Sequence, residues 1–478
     1  MATYILHTNG NANNGGGYTD NYIGTWSQWH SSFDALIVQA GCTISDNGFG
    51  NVRITSAGNF GTAVVGLLVY CGFSDTYDDG RYEITAVNAN YIDIDLVYST
   101  DVPTVDVRVG GALSVVDEAL TLAFGTVGDE LLVCCNQTTR TVYQVVAGGC
   151  TLDSEGATLL MRCVNDADGV RLTLDQLEPV FQYAAGGLPF SFLEGIFDCD
   201  AFICDASVSG SNGIITGHVT AGSSYIYCPR LTLLGNGSDG IGYAYGTHNY
   251  VHGEIDTLIM SSFYRGMAVS TRFQGLNTDV RIFHNNAIAL QMGNQPGNNQ
   301  SPSRTVTYFI GNVVGYSCQR FNHSSMWNSV FVGNQFDIQS NRHLTNSWTV
   351  TVSNCLFDNS HAEGSIFDTN DDGTYVNFVM DNCVRRLSGG ALLKSAGFPE
   401  GNITENNCDV LTIDPFVDRS GLDLRVKAGY SDIDKFFCAD NLYIAALADL
   451  KTLKVPVIFE TGGASAGSWS RFESMRVR

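Results

Sequence analysis

A short apolar run that ends in asparagine recurs through the chain and limits what it can fold into more than any other feature. It reads "RIFHNNAI" at Asn286, "YFIGNVV" at Asn312, "VFVGNQF" at Asn334, "VTVSNCLF" at Asn354, "NFVMDNCV" at Asn382 and "ITENNCDV" at Asn407. The intervals are 26, 22, 20, 28 and 25 residues, and "DTLIMSSFY" with Ser262 extends the series backward by 24. A unit this short cannot bury a core of its own, so each must stack on the next. A helical solenoid needs apolar residues at i, i+3 and i+4 over roughly 10–15 residues, and these runs are short and rich in Val, Ile, Phe and Tyr. The repeat therefore predicts a coil of short parallel strands.

At each bend of such a coil a side chain lies over its equivalents in the neighbouring rungs, about 4.8 Å away. Asparagine tolerates left-handed backbone, and its amide both donates and accepts, so a column of asparagines satisfies itself. The next residue points inward. It is Cys355, Cys383 or Cys408 at three rungs, small enough for a crowded bend.

Composition agrees with an all-β chain. Only 15% of residues are charged, and there are 52 glycines, a balance suited to many turns. The net charge of −23 repels phosphate backbones and anionic lipid, so nucleic acid is excluded as a partner. "MATYILHTNGNANN" has no basic segment followed by an apolar one, and no apolar run of about 18 residues occurs. We expect no signal peptide, folding in a cytoplasm and no membrane insertion. The 14 cysteines are then thiols. They lie among apolar residues without C-x-x-C spacing, so no zinc and no other cofactor is expected.

Residues 1–19, "MATYILHTNGNANNGGGYT", read as a first strand and loop. Residues 20–108 read as a small inserted β domain for attachment or assembly, because "LLVYCGFSDTYDDGRYEITAVNANYIDIDLVY" alternates strand-like runs with "DDG" and "NAN" turns. Residues 109–434 form the coil. Residues 435–478 form a tail with a short helix around "ADNLYIAALADLKTL" and a locally basic end at Arg471, Arg476 and Arg478, read as an assembly contact.

Two further stretches complete a resemblance. "GGALSVVDEALTLAFGTVGDELLVCC" places Leu113, Val116, Ala119, Leu120 and Ala123 on one helical face before a strand, and "IDPFVDRSGLDLRVKAGYSDID" follows the last repeat. Together with the asparagine ladder they resemble the right-handed parallel β-helix, or pectate-lyase-like, superfamily. The resemblance covers about residues 111–434. It implies a right-handed single-stranded parallel β-helix whose open apolar end is covered by a short α-helical cap.

Carboxylates two apart on a strand share a face. Asp198 and Asp200 form one such pair and Glu254 and Asp256 another; Asp279 and Arg281 follow one coil after the second, so Glu254, Asp256, Asp279 and Arg281 are expected to meet on adjacent rungs. Two carboxylates at that spacing suit glycoside hydrolysis, and a carboxylate-bound cation with a basic residue suits a lyase. The same residues also suit a solvated strand face. "DTNDDG", Asp368 to Gly373, opens like a calcium loop but has Val379 where the loop needs glutamate; a structural calcium ion is the one cation it would take. "HNYVH", with His248 and His252, lacks the glutamate of a metalloprotease helix. Aromatic residues crowd between Tyr225 and Phe273, and Tyr243, Tyr245 and Tyr264 are the candidates for stacking on sugar rings.

Two functions remain open. One is a structural or receptor-binding component of a bacteriophage virion, similar to tailspikes and head-decorating β-helices. It would be a homotrimer with other virion proteins and a host surface glycan as partners. The other is a polysaccharide lyase or glycoside hydrolase acting on an acidic or surface polysaccharide. No catalytic residue is assigned.

Overall fold

Left-handed backbone marks the bends of the chain. Asn328, Asn354, Asn382 and Asn407 take φ of 49°, 52°, 53° and 51°, and Ser262 takes 61°. The computed structural model describes residues 2–426 except 21, 23–25, 27–32, 75–76, 101–103, 125–128, 146–149, 217–222, 238–239, 246–249, 270–275, 279, 293–305, 320–322, 342–347, 362, 370–375, 396–402 and 419–422. The expected C-terminal helix and the basic end at Arg471, Arg476 and Arg478 lie outside the described residues. The chain divides into two compact units, Met1–Asp279 and Val280–Arg478. Both are built from parallel β-helix rungs.

The first unit opens with β1 (Ala2–Leu6), which pairs antiparallel with β2 (Gly17–Thr19). Six strands follow: β3 (Ile37–Asp46), β4 (Asn51–Thr55), β5 (Leu68–Phe73), β6 (Gly80–Asn88), β7 (Tyr91–Val97) and β8 (Val105–Val109). They pair antiparallel in the order β3-β4-β7-β6-β5-β8 and close into a barrel. Inward residues such as Val52, Ile54, Ile84, Ile92, Ile94, Val107 and Val109 fill it, and closure leaves no strand edge exposed. Its first tight turn, "DNGFGN", is held by side chains. Asp46 Oδ1 accepts from the backbone N–H groups of Gly48 and Gly50, and Asn47 Oδ1 accepts from that of Phe49.

Helix α1 (Val116–Ala123) follows, burying Val116, Ala119, Leu120 and Ala123. The expected face is thus correct apart from Leu113, which is buried just before the helix and bridges to Leu6. Strand β9 (Glu130–Cys135) then pairs in parallel with β1, Thr3 opposite Glu130. The barrel is therefore an insertion between two paired coil strands. Arg81 of β6 ties it down, donating to the Asn14 carbonyl at 3.0 Å and pairing with Glu118 of α1 at 2.9 Å. Arg108 of β8 donates to Asn14 Oδ1, and the buried Asn14 amide donates to the Ala112 carbonyl.

From β9 onward each turn has three parallel ladders. Thr151–Asn165 pairs with β9 and with Phe190–Cys199, Val142–Val145 with Val180–Tyr183, and Ser223–Leu234 with Tyr250–Ser261. The interior is aromatic: Phe181 touches Tyr143, Phe190 and Phe202, and Phe197 touches Phe192 and Phe202.

The second unit repeats the plan. One ladder runs through Val306–Ile310, Ser329–Val332, Leu356–Asn359 and Val384–Leu387. A second runs through Val314–Gln319, Phe336–Asn341, Ser365–Thr369 and Leu392–Lys394. A third runs through His323–Trp327, Trp348–Ser353, Val376–Asp381 and Ile403–Asn406. Phe283, Phe309, Phe331 and Phe357 stack one per rung, with centroids 5.2, 4.6 and 4.8 Å apart.

The asparagine series is two columns rather than one. Asn286 donates its backbone N–H and its amide to Asn312 Oδ1 at 2.9 and 3.1 Å, and Asn312 does the same to Asn334 at 2.9 and 3.0 Å. In this column the preceding residue, Asn285, Gly311 or Gly333, takes the left-handed conformation. The second column stands at a different bend. Asn382 donates to Asn354 Oδ1 at 2.7 Å and Asn407 to Asn382 Oδ1 at 3.0 Å. Strand pairing of Trp327 with Ser353 adds Asn328 to this bend. The 20-residue step from Asn334 to Asn354 therefore crosses from one corner of the turn to another. Cys355 and Cys383 do point inward and are buried, while Cys408 is half-buried. The thirteen described cysteines are all free thiols. Past the last rung, Phe416–Asp418 and Asp423–Val426 form an antiparallel hairpin.

Candidate functional site

The outward face of the longest ladder in the first unit gathers the chemistry. Alternation sends Phe197, Ile226 and Cys228 into the core and their neighbours outward. Leu160, Asp198, Tyr227 and Glu254 follow one another across the rungs, and Tyr225 lies beside Ile196 one step along. Tyr225 and Tyr227 are 36% and 40% exposed. Two tyrosines two residues apart on a strand stand about 7 Å apart, and the carboxylates of Asp198 and Glu254 flank Tyr227 from rungs about 10 Å apart. Gly253 helps to bring these rungs together: at φ 135° its backbone passes so close to Ile226 that a Cβ would lie 1.8 Å from the Ile226 carbonyl oxygen.

Local arginines hold part of this face. Arg162 Nη1 donates to Asp198 Oδ1 at 2.9 Å and to the Asp198 carbonyl at 3.0 Å. Burial works against the Arg162 charge, but the hydrogen bond and charge of Asp198 outweigh it and raise its pKa. Asp200 is buried, ion-paired with Arg171, and accepts from the Cys163 N–H at 2.9 Å. Burial also raises the Glu130 pKa, opposed by Arg162 and Arg171. The Tyr227 phenol is raised by burial and further by the charges around it, those of Glu254 and Asp198 included. The face offers flat aromatic surface, carboxylate acceptors and one guanidinium donor, which is the set that hydroxyl-rich rings use.

Only part of the cluster expected from sequence falls within the described residues. Glu254 and Asp256 are half-buried in the first unit, Asp279 lies outside the described residues, and Arg281 is buried within the second unit at 3% exposure rather than standing on an outer face. Tyr243 needs correction as well. It is 0% exposed, and burial raises its phenol, so its ring packs the core and cannot meet a surface ligand. The Tyr245 side chain lies outside the described residues. Tyr264 is exposed, with the Arg265 guanidinium 5.4 Å from its ring centroid. Asp368 accepts from Gln339 Nε2 at 2.8 Å, and the rest of "DTNDDG" beyond Thr369 lies outside the described residues, as does His248. His252 sits in a strand opposite Tyr225 rather than in a helix, with its side chain outside the description. No group of three or more His, Cys, Asp or Glu placed to hold a metal occurs among the described residues.

Tyr225 and Tyr227 were not singled out by the sequence, although "SYIYC" carries their signal: two aromatics on one face, Ile226 and Cys228 on the other.

No family model matches the chain, and no curated protein matches it. Among solved structures, a catalytic domain of a GH87 alpha-1,3-glucanase in complex with nigerose is similar at 9% sequence identity, over 80% of this chain and 98% of that one, with a TM-score of 0.25. The parallel β-helix rests on the strand pairings themselves.

Proposed function

We propose that the protein recognises a neutral surface polysaccharide along the outer face of its first unit, as a receptor-binding β-helix of a bacteriophage particle. The observation that carries the recognition step is the exposed pair Tyr225 and Tyr227 within a row of polar groups. A repeating chain of sugars suits a repeating ladder, since ring stacking and hydroxyl contacts recur with the rungs. Neutral glycans are favoured because Asp198, Glu254 and Asp256 on this face, and a chain charge of −23, repel anionic ones. Binding is favoured over cleavage because Asp198 and Asp200 are engaged by Arg162 and Arg171. The particle, the homotrimer and the host glycan rest on the resemblance to tailspikes. The closed barrel at the head of the coil supplies a compact module for attachment.

The test is titration of the full chain with neutral and anionic polysaccharides, alongside a Tyr225→Ala/Tyr227→Ala variant. Saturable binding of a neutral glycan, lost in the variant while its melting temperature stays unchanged, is the expected outcome. Equal binding by both proteins would sink the reading.

One observation favours a glycoside hydrolase as the second reading. Glu130, whose protonated form is favoured by burial, shares the face with the Arg162-held Asp198, and two carboxyl groups on one face are the pair that glycoside hydrolysis uses. New reducing ends released from a bound glycan, and lost in both Glu130→Gln and Asp198→Asn, would favour that activity.

A further inference from the structure

The thiols of Cys383 and Cys408 occupy the same place on successive rungs. Val384 pairs with Asp409 in parallel, and the Asp409 N–H donates to the Cys383 carbonyl at 3.0 Å, so the two cysteines that precede them lie side by side. Their poses repeat. Cys383 Sγ contacts the carbonyls of Asp381 and Val352, both at 3.4 Å, and Cys408 Sγ contacts the carbonyls of Asn406 and Met380 at 3.3 and 3.6 Å. Adjacent parallel strands set the Cα atoms about 4.8 Å apart, inside the window of roughly 4.4–6.8 Å that a disulfide needs. Cys355 continues the column on the other side of Cys383 but is fully buried, whereas Cys408 is half-buried. A reagent from solvent therefore meets the column at Cys408.

The surroundings give such a bond something to hold. Ile403–Asn406, the strand that leads into this bend, is half-buried at its first residue and exposed at the other three, unlike Val376–Asp381 one rung earlier, which alternates buried and exposed residues. These last rungs have little apolar burial to resist opening. The side-chain hydrogen bond from Cys355 lowers the Cys383 pKa, which suits Cys383 to act as the second, resolving thiolate.

We propose that Cys408 and Cys383 form an oxidisable latch that closes under a small disulfide such as oxidised glutathione. The Cys408 thiolate attacks one glutathione sulfur, the glutathione S–S bond breaks, and one glutathione thiolate leaves. Cys383 thiolate then attacks Cys408 Sγ, the mixed disulfide breaks, and the second glutathione leaves. The two protein thiols are oxidised to one disulfide, glutathione disulfide is reduced to two glutathiones, and the protons lost from the cysteines end on them.

The test uses the full native chain incubated with oxidised glutathione, alkylated, digested without reduction and read by mass spectrometry. The expected product is a cross-linked peptide pair joining Cys383 to Cys408, two hydrogens lighter than the separate peptides, with an upward shift in the melting temperature. Cys408→Ser should leave Cys383 reduced under the same treatment, and Cys355→Ser should still give the Cys383–Cys408 product. A glutathione adduct that persists on Cys408 without the cross-link overturns the proposal. So does a cross-link between Cys355 and Cys383 in the unmodified sequence, or a full set of free thiols after treatment.

Discussion

Arg230 Nη2 lies 3.2 Å from Glu178 Oε2, and the two side chains are only 8% and 11% exposed. The other carboxylate oxygen faces Arg140 at 3.6 Å, so one buried anion serves two cations contributed by distant parts of the sequence. Arg230 also donates to the Leu174 carbonyl, and Gln137 exchanges hydrogen bonds with Leu177. Together these contacts fasten the 173–179 segment to the coil. Removing the anion alone leaves two guanidinium groups without compensation. Glu178→Gln should destabilise the chain by about 3–5 kcal/mol, read as a lower denaturation midpoint. A change within experimental error would show that water or backbone already compensates both arginines.

The asparagine column predicts a graded effect. Asn382→Ala removes the bond to Asn354 and the bond received from Asn407, and it places a Cβ residue without a local polar side chain at φ 53°. The expected loss is about 2 kcal/mol. Asn382→Gly accepts the backbone conformation and should lose less than alanine. If alanine and glycine cost the same in equilibrium unfolding, left-handed strain is not part of the role of Asn382.

Stability should depend on pH through His284. Burial lowers its pKa to about 4, against 6.5 when unperturbed. Between these values the unfolded chain takes up a proton that the folded chain does not, so stability falls as the pH drops from 6.5 toward 4. The loss attributable to this residue is about 3 kcal/mol over the window. Denaturation midpoints measured across that range should fall less steeply for His284→Gln, and parallel slopes would remove His284 as the cause.

The tyrosine strip predicts separability of binding from folding. Tyr225→Ala and Tyr227→Ala each remove an exposed ring, so each should weaken glycan binding by about 1 kcal/mol, roughly fivefold. Neither should move the melting temperature, since surface substitutions away from the core change stability by about 0.5 kcal/mol or less. A large stability loss in either variant would assign the rings to packing.

How far the sequence could be read follows from what each residue does. Asn354 and Asn382 were legible as bend residues because few side chains tolerate left-handed backbone, and the inward Cys355 and Cys383 followed from them. The division into two columns was not legible. Both bends use Asn, and only strand pairing reveals that Asn334 and Asn354 occupy different corners. Tyr243 and Tyr227 are chemically alike, so only register tells that Tyr243 faces the core and Tyr227 faces outward. Glu178 meets Arg140 and Arg230 through a loop laid over the coil, and nothing local in the sequence around any of the three announces that contact.

The inserted barrel bears on the order in which the chain can be assembled. Strand β1 is made before the barrel, yet its parallel partner is β9, which is made after it, and the Ala2 N–H reaches Asp129 Oδ1 across a separation of 127 residues. Until that partner exists, β1 has an open edge. The barrel's six strands pair with one another, and its closure sets Ile37 opposite Val109 before β9 arrives. What would be a long loop to close is thereby replaced by a short one. Emerging from a ribosome, the molecule completes its most self-contained part while the first rung of its coil is still waiting for the second half of its sheet.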